Sequence, residues 1–175
     1  MNQNLTDTPQ RVDQLITALE EGERTTYHHI LQNFELTPLD FENYTSWSDK
    51  YYTRNCIVNN EKFELILICW CKGHKTPIHD HGGEECWVKV IGGELEELIY
   101  QKNEKGDLAP VRTSLSKANQ ITYMKDFMGF HSLENIANKK SLTLHLYAKP
   151  IRKCNIFDSD TKSFVETEMF YHTTP

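Results

Sequence analysis

The sequence lacks the features that mark several large classes of protein. It has no apolar run long enough to cross a bilayer, because the longest one spans only residues 65–71. Its first residues, MNQNLTD, contain neither the basic patch nor the apolar run of a secretory signal. Its 5 cysteines are an odd number without a regular framework, which fits a reducing compartment better than a disulfide scaffold. These absences predict a cytoplasmic protein without a membrane segment.

Positive charge is also scarce. The chain has 19 Lys and Arg residues against 25 Asp and Glu residues, a formal net charge of -6, and no basic block. This balance argues against nucleic acid as a partner. What remains is an ordinary globular composition, with 38% hydrophobic and 25% charged residues. A chain of 175 residues is most economically one domain, residues 1–175, and we expect a monomer.

The pattern of apolar residues changes near residue 50 and divides the chain into a helical segment and a strand-rich segment. Before about residue 47, apolar residues recur at helical spacing over 12–19, and Gly22 ends the run. A shorter helix is expected around 30–34, and the TPLD sequence at 37–40 is typical of another helix start. We expect these helices to pack against one side of a sheet.

From residue 51 onward, short β-branched and aromatic runs alternate with turn signals. The run 63–71 is almost continuously apolar, which indicates a strand buried on both faces. Short strands at this spacing predict a mainly β fold, an antiparallel jelly-roll barrel with the N-terminal α-helices packed on it. The tail after residue 158 is polar, except for an apolar patch at 169–171 that could pack back. The predicted strands are 51–58, 63–71, 85–91, 94–102, 111–115, 121–123, 131–136, 142–149 and 154–157.

The segment 73–81, GHKTPIHDH, follows the apolar strand and carries two histidines one residue apart, His79 and His81. On an extended backbone both side chains point to the same side, so both rings can bind one metal ion. About fifty residues later, His131 is followed by Asn135 at the fourth position. The two pieces together resemble the two-part signature of the cupin superfamily, whose small β-barrels hold a metal on histidines from two strands.

The composition of the ligand set stays open at this level. Glu84 and Glu85 follow the histidine pair closely, and one of them could supply a carboxylate ligand. Three histidines and a carboxylate would suit manganese, zinc or iron without much discrimination. If both glutamates face solvent, three neutral histidines bind the metal and leave its full positive charge to attract an anionic, chelating substrate.

A wider set of motifs resembles the cysteine dioxygenases, and this resemblance extends from about residue 8 to residue 172. The order of the motifs is that of the family, and the gaps between them agree to within a few residues. The motifs are YTRN at 52–55, CW at 69–70, IHDH at 78–81, Cys86, Gly93, His131 with Glu134 and Asn135, and LHLY at 144–147.

The resemblance implies an iron(II) ion, Fe(II), on His79, His81 and His131. Free L-cysteine would bind the iron through its thiolate and amine and leave one position for O2. Both oxygen atoms would then go to sulfur and give cysteine sulfinic acid. Arg54 would pair with the substrate carboxylate, because a guanidinium binds a carboxylate bidentately, and Tyr52 would line the same pocket.

Thr143, His145 and Tyr147 alternate along a predicted strand and would therefore share one face. By resemblance they form a hydrogen-bonded relay that brings the tyrosine hydroxyl to the substrate, with threonine where the family usually has serine. Cys86 stands where animal-type members form a thioether with this tyrosine, so the resemblance implies a Cys86–Tyr147 crosslink. Residues 148–150, AKP, stand where those members have Ser-Pro-Pro with a cis peptide bond at the first proline. Because that proline is absent here, we expect the cis bond to be lost and the pocket wall to differ there.

Three alternatives to an L-cysteine dioxygenase stay open. A related dioxygenase could use 3-mercaptopropionate or another small thiol, although Arg54 within YTRN favours cysteine. A catalytically silent cupin could bind a metal or a small ligand, but it would not need Arg54, His145 and Tyr147. Zinc could occupy the site in place of iron, since histidine ligands alone do not distinguish the two.

Overall fold

The computed structural model describes residues 8–175, and most of its regular structure is β-strand. Residues 1–7, for which the sequence analysis expects no secretory signal, lie outside the described part. The helices are α1 (Thr8–Glu21), α2 (Tyr27–Asn33) and three short 3₁₀ helices, Arg24–Thr26, Pro38–Tyr44 and Asp126–Met128. The strands are β1 (Thr53–Asn59), β2 (Glu64–Trp70), β3 (Glu85–Gly92), β4 (Glu94–Lys102), β5 (Leu108–Lys117), β6 (Ile121–Met124), β7 (Phe130–Glu134), β8 (Ser141–Ala148), β9 (Lys153–Asp158) and β10 (Ser163–Glu168).

The N-terminal helices form where the sequence predicts them. The helix α1 ends at Glu21, directly before Gly22. The TPLD segment begins a 3₁₀ helix rather than an α-helix, and its start is capped as expected. The Asp40 carboxylate accepts hydrogen bonds from the Thr37 backbone N–H at 2.7 Å and from the Thr37 hydroxyl at 2.8 Å.

The strands pair antiparallel in three sheets, which agrees with the predicted jelly-roll barrel. Five strands follow the order β1-β2-β8-β3-β6, three follow β5-β4-β7, and β9 pairs with β10. Strand β2 is buried at every position, as its apolar run predicts. Leu65 and Leu67 pack with the helices in one core cluster, whereas Ile66 and Ile68 face a second cluster inside the barrel. The five-stranded sheet therefore separates the helices from the barrel interior.

Among the strands of the described residues, β10 is the one that the sequence analysis missed. Its residues, SFVETE, are half-buried or exposed, so it carries no apolar periodicity by which it could be recognised. It forms because its backbone pairs with β9 from Ser163 opposite Asp158 to Glu168 opposite Lys153. The expected strand at 111–115 is also longer than predicted, since β5 continues in both directions along β4.

Three further observations bear on the sequence-based expectations. The expectation that the cis peptide bond is lost with the proline is wrong, because the bond between Ala148 and Lys149 is cis although its second residue is lysine. All five cysteines are free. Within residues 8–175, none of the helices is both long enough and apolar enough to cross a membrane.

Candidate active site

Three histidines meet at one side of the barrel. His79 and His81 lie on the loop between β2 and β3, and His131 lies on β7. Their potential ligand atoms are all within 4.8 Å of one another. The backbone N–H of His79 donates to the His131 carbonyl at 3.0 Å, and the reverse bond measures 2.9 Å. This backbone bridge confirms that the two pieces of the histidine pattern form one cluster.

Two acidic residues next to the cluster hold its backbone. Asp80 turns away from the histidine rings and accepts hydrogen bonds from the backbone N–H of Asn155 at 2.8 Å and from its side-chain amide at 2.7 Å. Asp126 accepts from the backbone N–H of His81 at 2.9 Å and from that of Gly83 at 2.6 Å. These carboxylates therefore fix the loop that presents the histidines.

The hydrogen bonds of the rings leave nitrogen lone pairs available for a metal ion. The Nδ1 atom of His79 lies 2.9 Å from the Pro77 carbonyl, which can only accept, so this nitrogen carries the proton and Nε2 is free. Among the described residues, the buried atoms Nδ1 of His81 and Nε2 of His131 have no hydrogen-bond partner. Burial also lowers the pKa of His79 to about 3, so its ring is neutral, the form that binds metals.

Glu97 orients His131, and the sequence analysis missed it. Its Oε1 atom lies 2.7 Å from Nδ1 of His131, and both side chains are almost completely buried. A carboxylate that accepts from one ring nitrogen leaves the other nitrogen for a metal and makes it a better donor. Glu97 could have been recognised from its position, because it lies between the inward-facing Leu95 and Ile99 of an alternating strand.

The glutamates that could have completed the ligand set point elsewhere. Glu85 accepts hydrogen bonds from Tyr123 at 2.8 Å and Lys125 at 3.1 Å and forms an ion pair with Arg24. The hydrogen bond from Arg24 is the main reason that the pKa of Glu85 falls to about 2. Glu84 accepts from the backbone N–H of Lys149 at 2.7 Å. The candidate metal cluster consists of histidines alone.

Arg54 lies buried in a small pocket that it shares with the histidine cluster. The lining of this pocket includes Tyr52, Arg54, His79, His131, His145 and Tyr147. The Nε atom of Arg54 donates to the Phe170 carbonyl at 3.2 Å, whereas its buried Nη2 atom has no partner among the described residues. The ring of Tyr52 stacks on Trp70 with centroids 5.0 Å apart. The pocket therefore offers one free guanidinium nitrogen beside the candidate metal ligands.

The C-terminal tail holds the backbone of Arg54 in place. The N–H of Arg54 donates to Nδ1 of His172 at 3.0 Å, and the N–H of His172 donates to the Arg54 carbonyl at 2.7 Å. Two residues further along β1, the N–H of Cys56 donates to the Thr173 carbonyl at 3.0 Å. The expectation that the tail packs back holds for Met169 and Tyr171, which pack on the barrel core.

Thr143, His145 and Tyr147 share the interior face of β8, but their hydrogen bonds differ from the expected relay. The indole N–H of Trp70 donates to the Thr143 hydroxyl at 2.9 Å, and this hydroxyl lies 2.9 Å from Nε2 of His145. The Thr143 hydroxyl therefore joins Trp70 and His145 in one chain of hydrogen bonds. The rings of His145 and Tyr147 stack with centroids 6.3 Å apart. Within the described residues, the chain of hydrogen bonds ends at His145.

Cys86 and Tyr147 are direct cross-strand partners on β3 and β8. Both side chains are buried in the core cluster inside the barrel. Burial raises the pKa of the Tyr147 hydroxyl well above its ordinary value and also raises the pKa of the Cys86 thiol. Both groups are therefore protonated at neutral pH.

This barrel, with a three-histidine cluster in its interior, defines a cupin-type protein. The chain resembles a crystal structure of an uncharacterised conserved protein with a double-stranded β-helix domain from Klebsiella pneumoniae, with a TM-score of 0.51, 17% identity and coverage of 73% of this chain and 94% of that one. It also resembles recombinant oxalate oxidase in complex with glycolate, with a TM-score of 0.51, 14% identity and coverage of 66% and 62%. Identities this low support the fold alone.

Comparison of sequences identifies the family within this class. The family model described as cysteine dioxygenase type I matches residues 3–160. Human cysteine dioxygenase type 1 is 32% identical over 148 residues, which cover 82% of this chain and 74% of the human protein. The protein of the same name from Bos taurus is 30% identical over 167 residues, which cover 93% and 84%. The chain belongs to the cysteine dioxygenase type I family and is a dioxygenase.

Proposed function

We propose that this protein is an iron(II)-dependent dioxygenase that oxidises the thiol of free L-cysteine with O2, as a step in cysteine catabolism. Both oxygen atoms go to sulfur, so that the thiol and O2 give cysteine sulfinic acid with no further reactant. The observation that carries the proposal is the free guanidinium nitrogen of Arg54 in the same pocket as three clustered histidines.

The donor set fits iron(II). His79, His81 and His131 would hold the ion, since two of their buried nitrogens have no other partner among the described residues. When bound, the iron would supply redox chemistry with O2 and coordination positions for the substrate thiolate and amine. Zinc accepts the same imidazole ligands, so the experiment below includes zinc as a separate arm.

Arg54 favours a thiol that carries a carboxylate. Its Nη2 atom is buried and free, and a substrate carboxylate would supply the missing acceptor. Tyr52 would line the pocket beside it, and its stacking on Trp70 supports a fixed position.

Tyr147 keeps its proton because burial raises its pKa, so its hydroxyl could donate to the substrate or to O2. His145 would position the tyrosine ring by stacking, and Thr143 would hold His145 through the hydrogen bond between them.

Cys86 and Tyr147 would form a thioether during turnover. The bond would join the Cys86 sulfur to a ring carbon of Tyr147, with loss of the thiol hydrogen and one ring hydrogen. The two electrons and two protons released would reduce a further molecule of O2, a reactant of the proposed activity, to hydrogen peroxide. Support comes from the direct cross-strand pairing of the two residues, which keeps their side chains adjacent on one face.

We further propose that residues 1–175 act as a single domain, as a monomer in the cytoplasm, with L-cysteine and O2 as its small-molecule partners. A shared core supports the single domain, because the helices and the five-stranded sheet bury their apolar residues against each other. Five free cysteines support a reducing compartment.

The test is oxygen uptake together with sulfinate formation by purified protein loaded with iron(II). We expect one sulfinate per O2 with L-cysteine, and little turnover with protein loaded with zinc. Uptake with 3-mercaptopropionate but not with L-cysteine would replace this proposal with the alternative thiol. If neither thiol causes oxygen uptake, the alternative of a non-catalytic cupin is supported instead.

A further inference from the structure

Glu64 is a buried carboxyl group inside the barrel that neither the metal cluster nor the Thr143–His145 pair uses. It is the first residue of β2 and is completely buried, at 0% exposure. It pairs in register with Tyr147 on β8, and Tyr147 pairs on its other side with Cys86 on β3. Directly paired residues point to the same face of a sheet, so these three side chains form a row in the barrel interior.

Among the described residues, only one of the two oxygen atoms of this carboxyl group has hydrogen-bond partners. Its Oε1 atom accepts hydrogen bonds from the Tyr171 hydroxyl and from the side-chain amide of Asn59, the latter at 3.2 Å. Its Oε2 atom is buried and, within the described part of the chain, has no partner. The Nη2 atom of Arg54 is in the same condition. The Glu64 carboxyl group and the Arg54 guanidinium are thus both buried, and each has one polar atom without a hydrogen-bond partner among the described residues.

The surroundings of Glu64 shift its pKa in opposite directions. Burial raises its pKa to about 7, while Arg54 and then Arg152 act in the opposite direction. Arg152 is exposed and donates to Asn59 at 3.0 Å, so Arg54 is the cation that shares the interior with Glu64. The titratable, charged and polar groups that face Glu64 from the surrounding elements are Arg54, Cys56, Asn59, Cys86, Tyr147, the N–H of Ile151, Arg152 and Tyr171.

Binding of a substrate that carries a carboxylate would change the pKa of Glu64. A substrate carboxylate on Arg54 would add a second anion to an interior in which Arg54 already lowers the pKa of Glu64 through its charge. An uncompensated carboxylate in a buried site is costly, and a neighbouring negative charge favours the protonated form. Glu64 is the carboxyl group of the pair that can accept a proton without leaving the protein, because its free Oε2 atom can carry the proton while Oε1 still accepts from Tyr171.

We propose that Glu64 is a positioning residue that acts as the internal counter-ion of Arg54 in the free enzyme and takes up one proton from solvent when a substrate carboxylate binds. The step converts a carboxylate and a proton to a carboxylic acid and moves no electrons. This inference rests on the proposed function, since it requires an anionic substrate on Arg54. It makes Glu64 a determinant of how strongly the pocket holds carboxylate-bearing thiols.

Steady-state kinetics with the iron-loaded enzyme test the proposal between about pH 6 and pH 8.5. We expect the KM for L-cysteine to rise above neutrality by up to about tenfold per pH unit in the wild type. Glu64→Gln, which mimics the neutral acid, should lack this rise while kcat stays within about twofold. Glu61→Gln is the matched control, because Glu61 is an exposed glutamate on the adjacent turn. Parallel KM profiles in wild type and Glu64→Gln would overturn the proposal.

Anaerobic calorimetry gives a readout that does not depend on turnover. L-Cysteine is titrated into iron-loaded protein in two buffers of different ionisation enthalpy, which measures the protons exchanged on binding. Protons released by the thiol and amine are common to all variants, so wild type should take up as much as one more proton than Glu64→Gln near pH 8 and the same number near pH 6. Equal proton counts at both pH values contradict the proposal. Absence of binding overturns this proposal and the proposed substrate together, whereas binding without oxidation overturns only the proposed reaction.

A second variant covers the case in which Glu64→Gln does not fold. Tyr171→Phe removes a hydrogen-bond donor to the carboxylate and leaves the charge in place. Loss of a donor to the ionised form raises the pKa of the acid, so the pH at which KM begins to rise should move upward. An unshifted KM profile in Tyr171→Phe would overturn the role of Glu64.

Discussion

His131 donates the proton on its Nδ1 atom to Glu97 across 2.7 Å in a site from which water is almost completely excluded. The buried carboxylate fixes the tautomer and the orientation of one proposed iron ligand. It is also a fixed negative charge in contact with the cluster that could offset the charge of a bound divalent ion.

Replacing this charge should weaken metal binding. Glu97→Gln retains an oxygen that can accept from His131 but loses the carboxylate charge. We expect the dissociation constant for iron(II) to increase about 10- to 100-fold, the usual effect of changing a residue that supports a metal ligand. Competition with a chelator of known affinity measures this constant. Glu96→Gln, on the opposite face of the same strand, should leave it unchanged.

The side chain of Arg54 should distinguish thiols by their carboxylate. We expect Arg54→Met to raise the KM for L-cysteine about tenfold to a hundredfold, since a hydrogen bond involving charged groups contributes about 1.5–3 kcal/mol. Cysteamine, which has the same thiol and amine but no carboxylate, should show little change. Oxygen uptake with both thiols checks this, with Arg152→Met as a control that removes an exposed cation nearby. Equal losses for the two thiols would contradict a role in carboxylate binding.

Cys86 should control a covalent change during turnover. After oxidation of L-cysteine, a fraction of the wild-type protein should be 2 Da lighter, the mass of two hydrogens lost on forming one thioether, and migrate differently in denaturing gels. Cys86→Ala should show a single species before and after turnover. Cys56→Ala removes a buried cysteine on β1 and should behave like the wild type. If the second species persists in Cys86→Ala, the proposed thioether is wrong.

The buried acid Glu64 should make folding stability depend on pH. Its pKa rises from 4.5 to about 7 on folding, so the folded state binds more protons than the unfolded state between these values. Stability of the wild type relative to Glu64→Gln should therefore fall by about 3 kcal/mol as the pH rises from about 4.5 to 7, and then level off. Urea unfolding of both proteins at pH 5 and pH 8 measures this. A difference in stability that does not change with pH would show that Glu64 is already ionised at pH 5.

The barrel and the histidine cluster could be predicted because both leave local marks in the sequence. The apolar run of β2 consists of adjacent residues, so the sequence alone predicts both the strand and its burial on both faces. His79 and His81 are neighbours, and only His131 had to be joined to them by a pattern that spans the barrel. The resemblance to cysteine dioxygenases then singled out Arg54 and Tyr147, which lie in the pocket.

The residues that support the site were harder to predict because their partners are far away in sequence. Glu97 lies 34 positions before His131, and no local pattern relates the two. Strand β10 depends on backbone pairing with β9 and not on buried side chains, so composition does not reveal it. Glu64 looks like an ordinary polar residue at a strand end until its register with Tyr147 is known.

The hydrogen bond from Arg54 to His172 joins residues that are 118 positions apart. Closing so long a loop costs conformational entropy that no local contact offsets, so the tail should dock only after the strands have assembled. The guanidinium would then be the last group in the pocket to reach its final position during folding. The same bond should be among the first to open in native-state hydrogen exchange, which would release Arg54, the proposed carboxylate-binding residue, while the histidine cluster stays intact.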